Sequence, residues 1–441
     1  MPTFSIENFG CRATEADASA LSGSLLASGL TLAADQNAAD IVVLNTCTVT
    51  AAADAQAREA VRKIHRMNPA ARIVVTGCYA QRAPDEVAAI EGVEWVVGNS
   101  HQGEIPEILQ AHQPRAASND FVLVTDLGTD ALSLARGPAK ILTGDIFAQS
   151  SVQIAPAALS THDRTRPILK IQDGCNNRCS YCVIPFVRGK SRSLPPDQVI
   201  REVRALCEAG AKEIVLSGIN LGSYGRDLTP RAGLAEIVRR ILDETALDQL
   251  RFSSIEPQDV TEDFVALVAW SPRIARHFHI PLQSGSDRIL RAMHRWYRTA
   301  HYAERLHLIR RMLPDAAIGA DVIVGFPGET DARFRETFEF VERLPFTYLH
   351  VFSFSERPGT AAAALGERVP GQAIRERART LRALSHEKAA EFRATQAGCS
   401  TRALTLARGD DTHTEALTGN YLKVQIAGRH PANEWHEVSV S

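Results

Sequence analysis

The sequence has no long hydrophobic run and no excess of either charge. Its longest apolar stretches, such as residues 41–44 and 214–216, have the length of strands, whereas a membrane span needs roughly 18 to 20 apolar residues. Residues 1–12 contain no basic leader followed by an apolar block, so we expect no export signal. We therefore predict a cytoplasmic protein with no membrane partner. Lysine and arginine number 49 against 51 aspartate and glutamate, so a nucleic-acid partner would have to bind local basic patches.

One cysteine-rich segment lacks the fourth cysteine that would complete a tetrahedral metal site. Residues 175–182, CNNRCSYC, place three cysteines in the pattern C-x3-C-x2-C without a fourth cysteine in reach. A closed zinc site needs four ligands, so His162 or His279 would have to complete one. Three thiolates can instead hold an iron–sulfur cluster that leaves one iron open to a chelating small molecule. Clustered cysteines in a reducing compartment are more often metal ligands than disulfides, and we favour the iron–sulfur cluster.

The first part of the chain is expected to form a parallel sheet. At 441 residues the chain is long enough for two or three domains. Residues 1–100 alternate predicted strands, such as DIVVLNT and RIVVTG, with helical segments. Cys11, Cys47 and Cys78 each follow one of these strands. Because the carboxyl ends of parallel strands line one crevice, these three cysteines can converge; packing in the core is the alternative interpretation.

Six further strand–helix units follow, and the tail of the chain alternates like three short strands. The six predicted strands begin at Ile168, Glu213, Arg251, His277, Ala317 and Tyr348. Six such units form an incomplete (β/α)6 barrel, whose functional groups are expected at the C-terminal ends of its strands. The cysteine-rich segment directly follows the first of these strands, so we expect it at the mouth of the barrel.

Several segments resemble a known enzyme family. KIQDGCNNRCSYCVIPFVRGKSRS resembles the cluster loop of radical S-adenosylmethionine (SAM) enzymes, and its flanks with NFGCR, NTCTVT and VTGCYAQ are similar to the methylthiotransferase family. GCYAQ, SGINLGSYG and HVFSFSERPGTAA are most similar to the branch that acts on N6-threonylcarbamoyladenosine at position 37 of tRNA. The branch that acts on isopentenyladenosine is the alternative, because both branches share the cysteines. A zinc-stabilised RNA-binding protein is an alternative of a different class.

The periodicity and the resemblance together predict an α/β protein. Residues 1–100 are expected to form a doubly wound parallel-sheet domain, and residues 101–165 the remainder of that domain and a linker. Residues 166–372 are expected to form the incomplete radical SAM barrel. Residues 373–441 would form a helix and a short β domain, because GNYLKVQIAG is similar to the core of the TRAM type of RNA-binding barrel.

The resemblance implies a redox mechanism with SAM and two [4Fe–4S] clusters as cofactors. The SAM-binding cluster would be held by Cys175, Cys179 and Cys182. The auxiliary cluster would be held by Cys11, Cys47 and Cys78. A first SAM would methylate a sulfur of the auxiliary cluster. A 5′-deoxyadenosyl radical from a second SAM would abstract hydrogen from carbon 2 of the adenine, and transfer of the methylated sulfur would give 2-methylthio-N6-threonylcarbamoyladenosine. We expect the tRNA anticodon loop and an electron donor such as flavodoxin or ferredoxin as partners.

The expected SAM contacts lie at the ends of barrel strands. Tyr181 stands between two cluster ligands, where the family places an aromatic residue against the adenine, although ordinary packing would also explain it. Glycine lets backbone approach a ligand closely, and polar side chains can bond the ribose or the methionine end. The remaining candidates are Gly218, Ser254, Glu256, Gln283 and Gly325.

Basic side chains near the barrel mouth are the expected substrate contacts. Arg188 and Arg295 lie in segments that mix positive charge with aromatic residues, a combination that suits single-stranded RNA loops. Threonylcarbamoyl carries a carboxylate, which needs a cation or several donors when buried. Arg357 is the candidate partner of that carboxylate, with a structural ion pair to Glu356 or Glu329 as the alternative.

Overall fold

The computed structural model describes residues 2–35, 38–111, 139–152 and 165–440. The chain divides into two compact units, one of residues 1–158 and 183–190 and the other of residues 159–182 and 191–441. Much of the predicted linker, together with His162, lies outside the described residues. The first unit thus includes a short segment that directly follows the cysteine-rich loop in sequence.

The first unit is built on a parallel sheet, as predicted, and this sheet has six strands. Its strands follow the order β2-β1-β3-β4-β5-β6, with β1 Thr3–Asn8, β2 Thr31–Leu32, β3 Ile41–Thr46, β4 Arg72–Gly77, β5 Val93–Gly98 and β6 Lys140–Leu142. Every residue of β3 is buried, which is typical of a central strand with both faces covered. Val42 and Leu44 pack in one apolar core, whereas Ile41 and Val43 pack in another. The helices are Arg12–Ala27, Ala51–Met67, Cys78–Arg82, Pro84–Ala88, Ile105–Ala111 and Ile184–Arg188.

The second unit contains the six predicted barrel strands. They are β7 Ile168–Asp173, β9 Glu213–Gly218, β10 Gln249–Phe252, β11 His277–His279, β12 Ala317–Val324 and β13 Tyr348–Ser353. Neighbouring strands pair in parallel, and isolated parallel bridges link the β10 and β11 regions. An additional short strand, β8 Arg192–Ser193, runs antiparallel to β7. The expected open (β/α)6 arrangement is confirmed.

Helices alternate with these barrel strands. The first begins at Pro196, in the double proline that the sequence places at a helix start, and Gly210 follows its end with a φ of 93°. The others pack apolar residues toward the strands, as the buried positions of Leu234–Glu244 show. The barrel helices are Pro196–Glu208, Leu234–Glu244, Glu262–Trp270, Asp287–Ala292, Thr299–Met312 and Asp331–Arg343.

The tail consists of one long helix and a four-stranded antiparallel sheet. The helix spans Gly371–Gln396, and the sheet has the order β16-β15-β14-β17. Its strands are β14 Ser400–Gly409, β15 His413–Thr418, β16 Lys423–Ala427 and β17 Trp435–Ser439. The sequence predicted three strands and missed β15, because two of its four buried residues are threonines and give no clear apolar signal. Across the described ranges, no helix has the length and apolar character of a membrane span.

Candidate active site with two cysteine triads

Three cysteines, here called the sheet triad, follow strands at one edge of the first unit's sheet: Cys11, Cys47 and Cys78. The chain runs from β1 to β2 on one side and then to β3 on the other, so β1 and β3 flank a topological switch point. Ligands of open α/β sheets bind at this position. Asn8 pairs with Asn45, and Thr46 pairs with Gly77, so the three strands end level with one another. This register brings the predicted triad to a common edge.

Two glycines permit the close approach of the segments that carry this triad. Gly10 has a φ of 135°, and a Cβ atom there would lie 2.5 Å from Cys47 Cβ and 3.2 Å from Cys47 Sγ. Gly77 has a φ of 95°, and a Cβ atom there would lie 2.4 Å from the carbonyl oxygen of Thr46. Only glycine accepts such backbone conformations at this spacing. The backbone is therefore shaped to hold Cys11 and Cys78 beside Cys47.

Two thiols of the sheet triad are buried, and burial favours their neutral form. Burial raises the pKa of Cys47 to about 12, and the neighbouring thiols of Cys78 and Cys11 contribute to the rise. Burial also raises the pKa of Cys78, while the nearby Arg188 guanidinium opposes this effect. A metal cluster bound here would displace these protons, because cysteine binds metals as the thiolate. A set of three thiolates without other donors fits an iron–sulfur cluster with one open iron.

The structure does not support the RNA contact predicted for Arg188. Its side chain is only 2% exposed and donates a hydrogen bond of 2.6 Å to Asp17 Oδ2, which is itself buried. The residue belongs to the first unit, where its positive charge opposes the rise that burial causes in the pKa of Cys47 and Cys78. Sequence reasoning missed Asp17, because it lies 171 positions away from Arg188 in the chain.

The other three cysteines, here called the barrel triad, lie in the loop after β7: Cys175, Cys179 and Cys182. Burial raises the pKa of Cys175 to about 11, and the backbone N–H of Asn177 donates to its sulfur at 3.4 Å. The loop ends in a turn, in which the Cys182 N–H donates to the Cys179 carbonyl at 3.1 Å. This compact all-thiol loop fits the same type of cluster.

Gln172 fixes the start of the cysteine loop. Its side-chain nitrogen donates to the carbonyls of Asp173 and Gly174 at 2.9 and 2.8 Å, and its oxygen accepts from the backbone N–H of Asn220 at 2.8 Å. The residue is completely buried. A Cβ atom at Gly218 would lie 2.9 Å from the same side-chain oxygen. Sequence reasoning missed Gln172, although a polar residue inside an apolar strand was an available signal.

A buried ion pair lies against the barrel triad. Arg295 Nη1 donates to Cys179 Sγ at 3.3 Å, Nη2 contacts Glu256 Oε2, and Nε donates to the Tyr297 hydroxyl at 3.2 Å. Burial raises the pKa of Glu256, and Arg295 opposes this rise. The Arg295 side chain is 4% exposed, so the structure does not support its predicted contact with RNA. The role predicted for Glu256 in binding SAM stays a prediction.

The remaining predicted SAM contacts lie near the C-terminal ends of barrel strands. Tyr181 packs beside an apolar cluster that includes Ile289 and Phe326, so ordinary packing accounts for part of its environment. Ser254 Oγ lies 2.8 Å from His279 Nδ1, and the Gly325 N–H donates to Glu329 at 2.9 Å. Gln283 has a φ of 66° and bridges to β12 through Val322. The contacts of five residues with SAM stay predictions: Tyr181, Gly218, Ser254, Gln283 and Gly325.

His279 does not complete a zinc site with the barrel triad. Its two ring nitrogens face Ser254 and Asp321, the latter at 3.2 Å. Within residues 2–35, 38–111, 139–152 and 165–440, no three cysteine, histidine, aspartate or glutamate side chains come together around the position of a single metal ion. The second proposed ligand, His162, lies outside these ranges.

Arg357 is buried on the segment that follows β13. Its Nε donates to the Glu356 carbonyl at 3.0 Å, and Nη2 donates to Ser355 Oγ at 3.3 Å. The Glu356 carboxylate pairs with Arg368 at 2.8 Å, and Glu329 pairs with Arg377 at 2.7 Å. Both carboxylates named in the alternative interpretation therefore have another arginine as an ion-pair partner.

An open (β/α)6 barrel with a three-cysteine loop after its first strand is the architecture of a radical SAM enzyme. Residues 169–341 match the model of the Radical SAM superfamily, and residues 3–98 match Uncharacterized protein family UPF0004. The radical SAM methyltransferase TsrM from Kitasatospora setae shares the fold, with a TM-score of 0.55 and 16% identity over 82% of this chain and 77% of that one.

The chain is also similar to curated proteins over nearly its whole length. Threonylcarbamoyladenosine tRNA methylthiotransferase MtaB from Aquifex aeolicus is 35% identical over 96% of each chain. The protein of the same name from Bacillus subtilis is 35% identical over 97% of this chain and 91% of its own. The tRNA-2-methylthio-N(6)-dimethylallyladenosine synthase of Thermobifida fusca is 35% identical over 93% and 80%. The chain belongs to the radical SAM methylthiotransferase family, whose enzymes use SAM and [4Fe–4S] clusters.

Proposed function

We propose that this enzyme methylthiolates carbon 2 of N6-threonylcarbamoyladenosine at position 37 of tRNA, giving 2-methylthio-N6-threonylcarbamoyladenosine. The observation that carries the proposal is the presence of two three-thiol sites, each at the C-terminal ends of strands in its own unit. The curated relatives support a tRNA substrate, because members of both tRNA-modifying branches align over most of the chain.

The two triads have different proposed roles. The barrel triad would hold the SAM-binding cluster, and the sheet triad would hold the auxiliary cluster. When bound, the first cluster would supply the electron that cleaves SAM to the hydrogen-abstracting radical, and the auxiliary cluster would supply the sulfur that replaces the hydrogen on carbon 2. The protein's own residues shape the sites: Gln172 fixes the barrel loop, and Gly10 and Gly77 let the sheet cysteines approach one another.

Arg357 supports the threonylcarbamoyl branch over the isopentenyl branch. A buried carboxylate requires a positively charged partner or several hydrogen-bond donors, whereas an isopentenyl group requires only an apolar pocket. Arg357 is a buried cation on the segment that follows a barrel strand. We propose that its guanidinium group binds the threonyl carboxylate.

The proposed RNA partner is the anticodon loop. In the segment HRWYR, Arg295 and Tyr297 are buried, whereas the Trp296 side chain between them is 74% exposed. An exposed indole beside the cysteine loop suits stacking on an unpaired base. A flavodoxin or ferredoxin as electron donor and a cytoplasmic location complete the proposal.

The substrate assignment is tested with tRNA isolated from cells that lack this enzyme. Separate tRNAs carrying threonylcarbamoyladenosine or isopentenyladenosine would be incubated anaerobically with reconstituted enzyme, SAM and a reductant. Mass spectrometry of the nucleosides should detect the 2-methylthio product only from the threonylcarbamoyl form. Modification of the isopentenyl form alone would show that the chain belongs to the other branch.

A further inference from the structure

Arg295 is held so that its guanidinium group contacts one sulfur of the barrel triad. Each nitrogen of its guanidinium group has its own partner: Cys179 Sγ for Nη1, the Glu256 carboxylate for Nη2 and the Tyr297 hydroxyl for Nε. The Tyr297 hydroxyl in turn donates to the Leu282 carbonyl at 2.7 Å. The arginine therefore has little freedom to turn away from the sulfur.

The cysteine loop is tied to the same segment of chain. The Ser180 N–H donates to the Met293 carbonyl at 3.0 Å, and its hydroxyl donates to the Ala292 carbonyl at 2.7 Å. Ser180 follows Cys179 directly, and Met293 precedes Arg295 by two residues. These bonds hold the backbone that carries Cys179 close to the backbone that carries Arg295.

We propose that Arg295 is a positioning residue that sets the reduction potential of the cluster bound by the barrel triad. The inference rests on the proposed assignment of this cluster. Hydrogen bonds to cluster sulfurs, local charge and burial are the features that tune such potentials. A charged N–H donor on Cys179 stabilises the more negative, reduced form, and the adjacent Glu256 carboxylate opposes that effect.

The two partners should act in opposite directions on the potential. Arg295→Met removes the positive charge and the donor, so reduction of the cluster becomes harder. Glu256→Gln keeps the arginine but removes the opposing negative charge, so reduction becomes easier. Arg295→Lys keeps the charge without the planar fork that reaches three partners, and it should give a smaller change than methionine. A purely structural pair would not produce shifts of opposite sign.

The test uses the full-length protein with all three sheet cysteines replaced by alanine, so that only the barrel cluster contributes. The fraction of reduced cluster is followed by electron paramagnetic resonance during a redox titration. At the midpoint potential of the parent protein, Arg295→Met should lower the ratio of reduced to oxidised cluster at least tenfold, which corresponds to about 59 mV for one electron. Glu256→Gln should raise that ratio.

A matched control separates this effect from the general loss of a buried ion pair. Arg251 forms a fully buried pair with Glu213 at 2.8 Å in the same unit, without contact to a cysteine. Arg251→Met should leave the potential unchanged. Unchanged potentials in Arg295→Met and Glu256→Gln, shifts of the same sign, or loss of iron from all three site variants would overturn the proposal. Absence of iron from the parent protein would instead contradict the assignment of the barrel triad.

Discussion

Replacement of Arg357 by alanine tests how the enzyme selects its substrate. The arginine is 4% exposed, so a contact between its guanidinium group and a carboxylate would be shielded from water. Hydrogen bonds to charged groups contribute about 1.5 to 3 kcal/mol. If the contact forms in the transition state, its loss lowers kcat/KM for threonylcarbamoyl tRNA by roughly 10- to 150-fold. Cleavage of SAM without tRNA should be unaffected, because Arg357 is not expected to contact SAM.

The assay compares both tRNA forms in competition and quantifies their 2-methylthio products by mass spectrometry. Arg368→Ala is the matched control, because this arginine is exposed and pairs with the neighbouring Glu356. The control should retain the activity and the preference of the wild type. An equal loss with both arginine variants, or unchanged turnover of threonylcarbamoyl tRNA by Arg357→Ala, would refute a carboxylate contact at this position.

Three further predictions concern the cysteine sites. Alanine at all three barrel cysteines should halve the iron bound by the reconstituted protein in a colorimetric assay, and unchanged iron would exclude the triad as a cluster site. Cys47→Ala should abolish methylthiolation while the production of 5′-deoxyadenosine stays measurable by chromatography; full methylthiolation would show that the sheet triad is only core. Gly77 has a φ of 95°, and a Cβ atom there would lie 2.4 Å from the Thr46 carbonyl oxygen, whereas Gly210 has a similar φ of 93° but open space around it. Gly77→Ala should therefore lower the melting temperature more than Gly210→Ala.

The fold was predictable because apolar periodicity reports strands and helices directly. The six barrel strands and the parallel sheet were expected from alternation, and the cysteines could be placed because each follows an apolar strand. The strand β15 was missed because Thr414 and Thr418 occupy buried positions in it. Gln172 was also missed: its polar side chain in a predicted strand was a signal, but the loop to which it bonds is shown only by the folded chain.

The two arginines predicted to bind RNA show where sequence reasoning reaches its limit. Positive charge beside aromatic residues indicated a surface for nucleic acid, but both side chains are buried. Arg188 pairs with Asp17, 171 positions away, and Arg295 reaches Cys179, 116 positions away. A buried arginine requires a buried acceptor, and only the folded chain shows which one is near. Arg295 donates to Cys179, and the charge of Arg188 opposes the rise in the pKa of Cys47 and Cys78, so each arginine has a physical reason to be present that does not involve RNA.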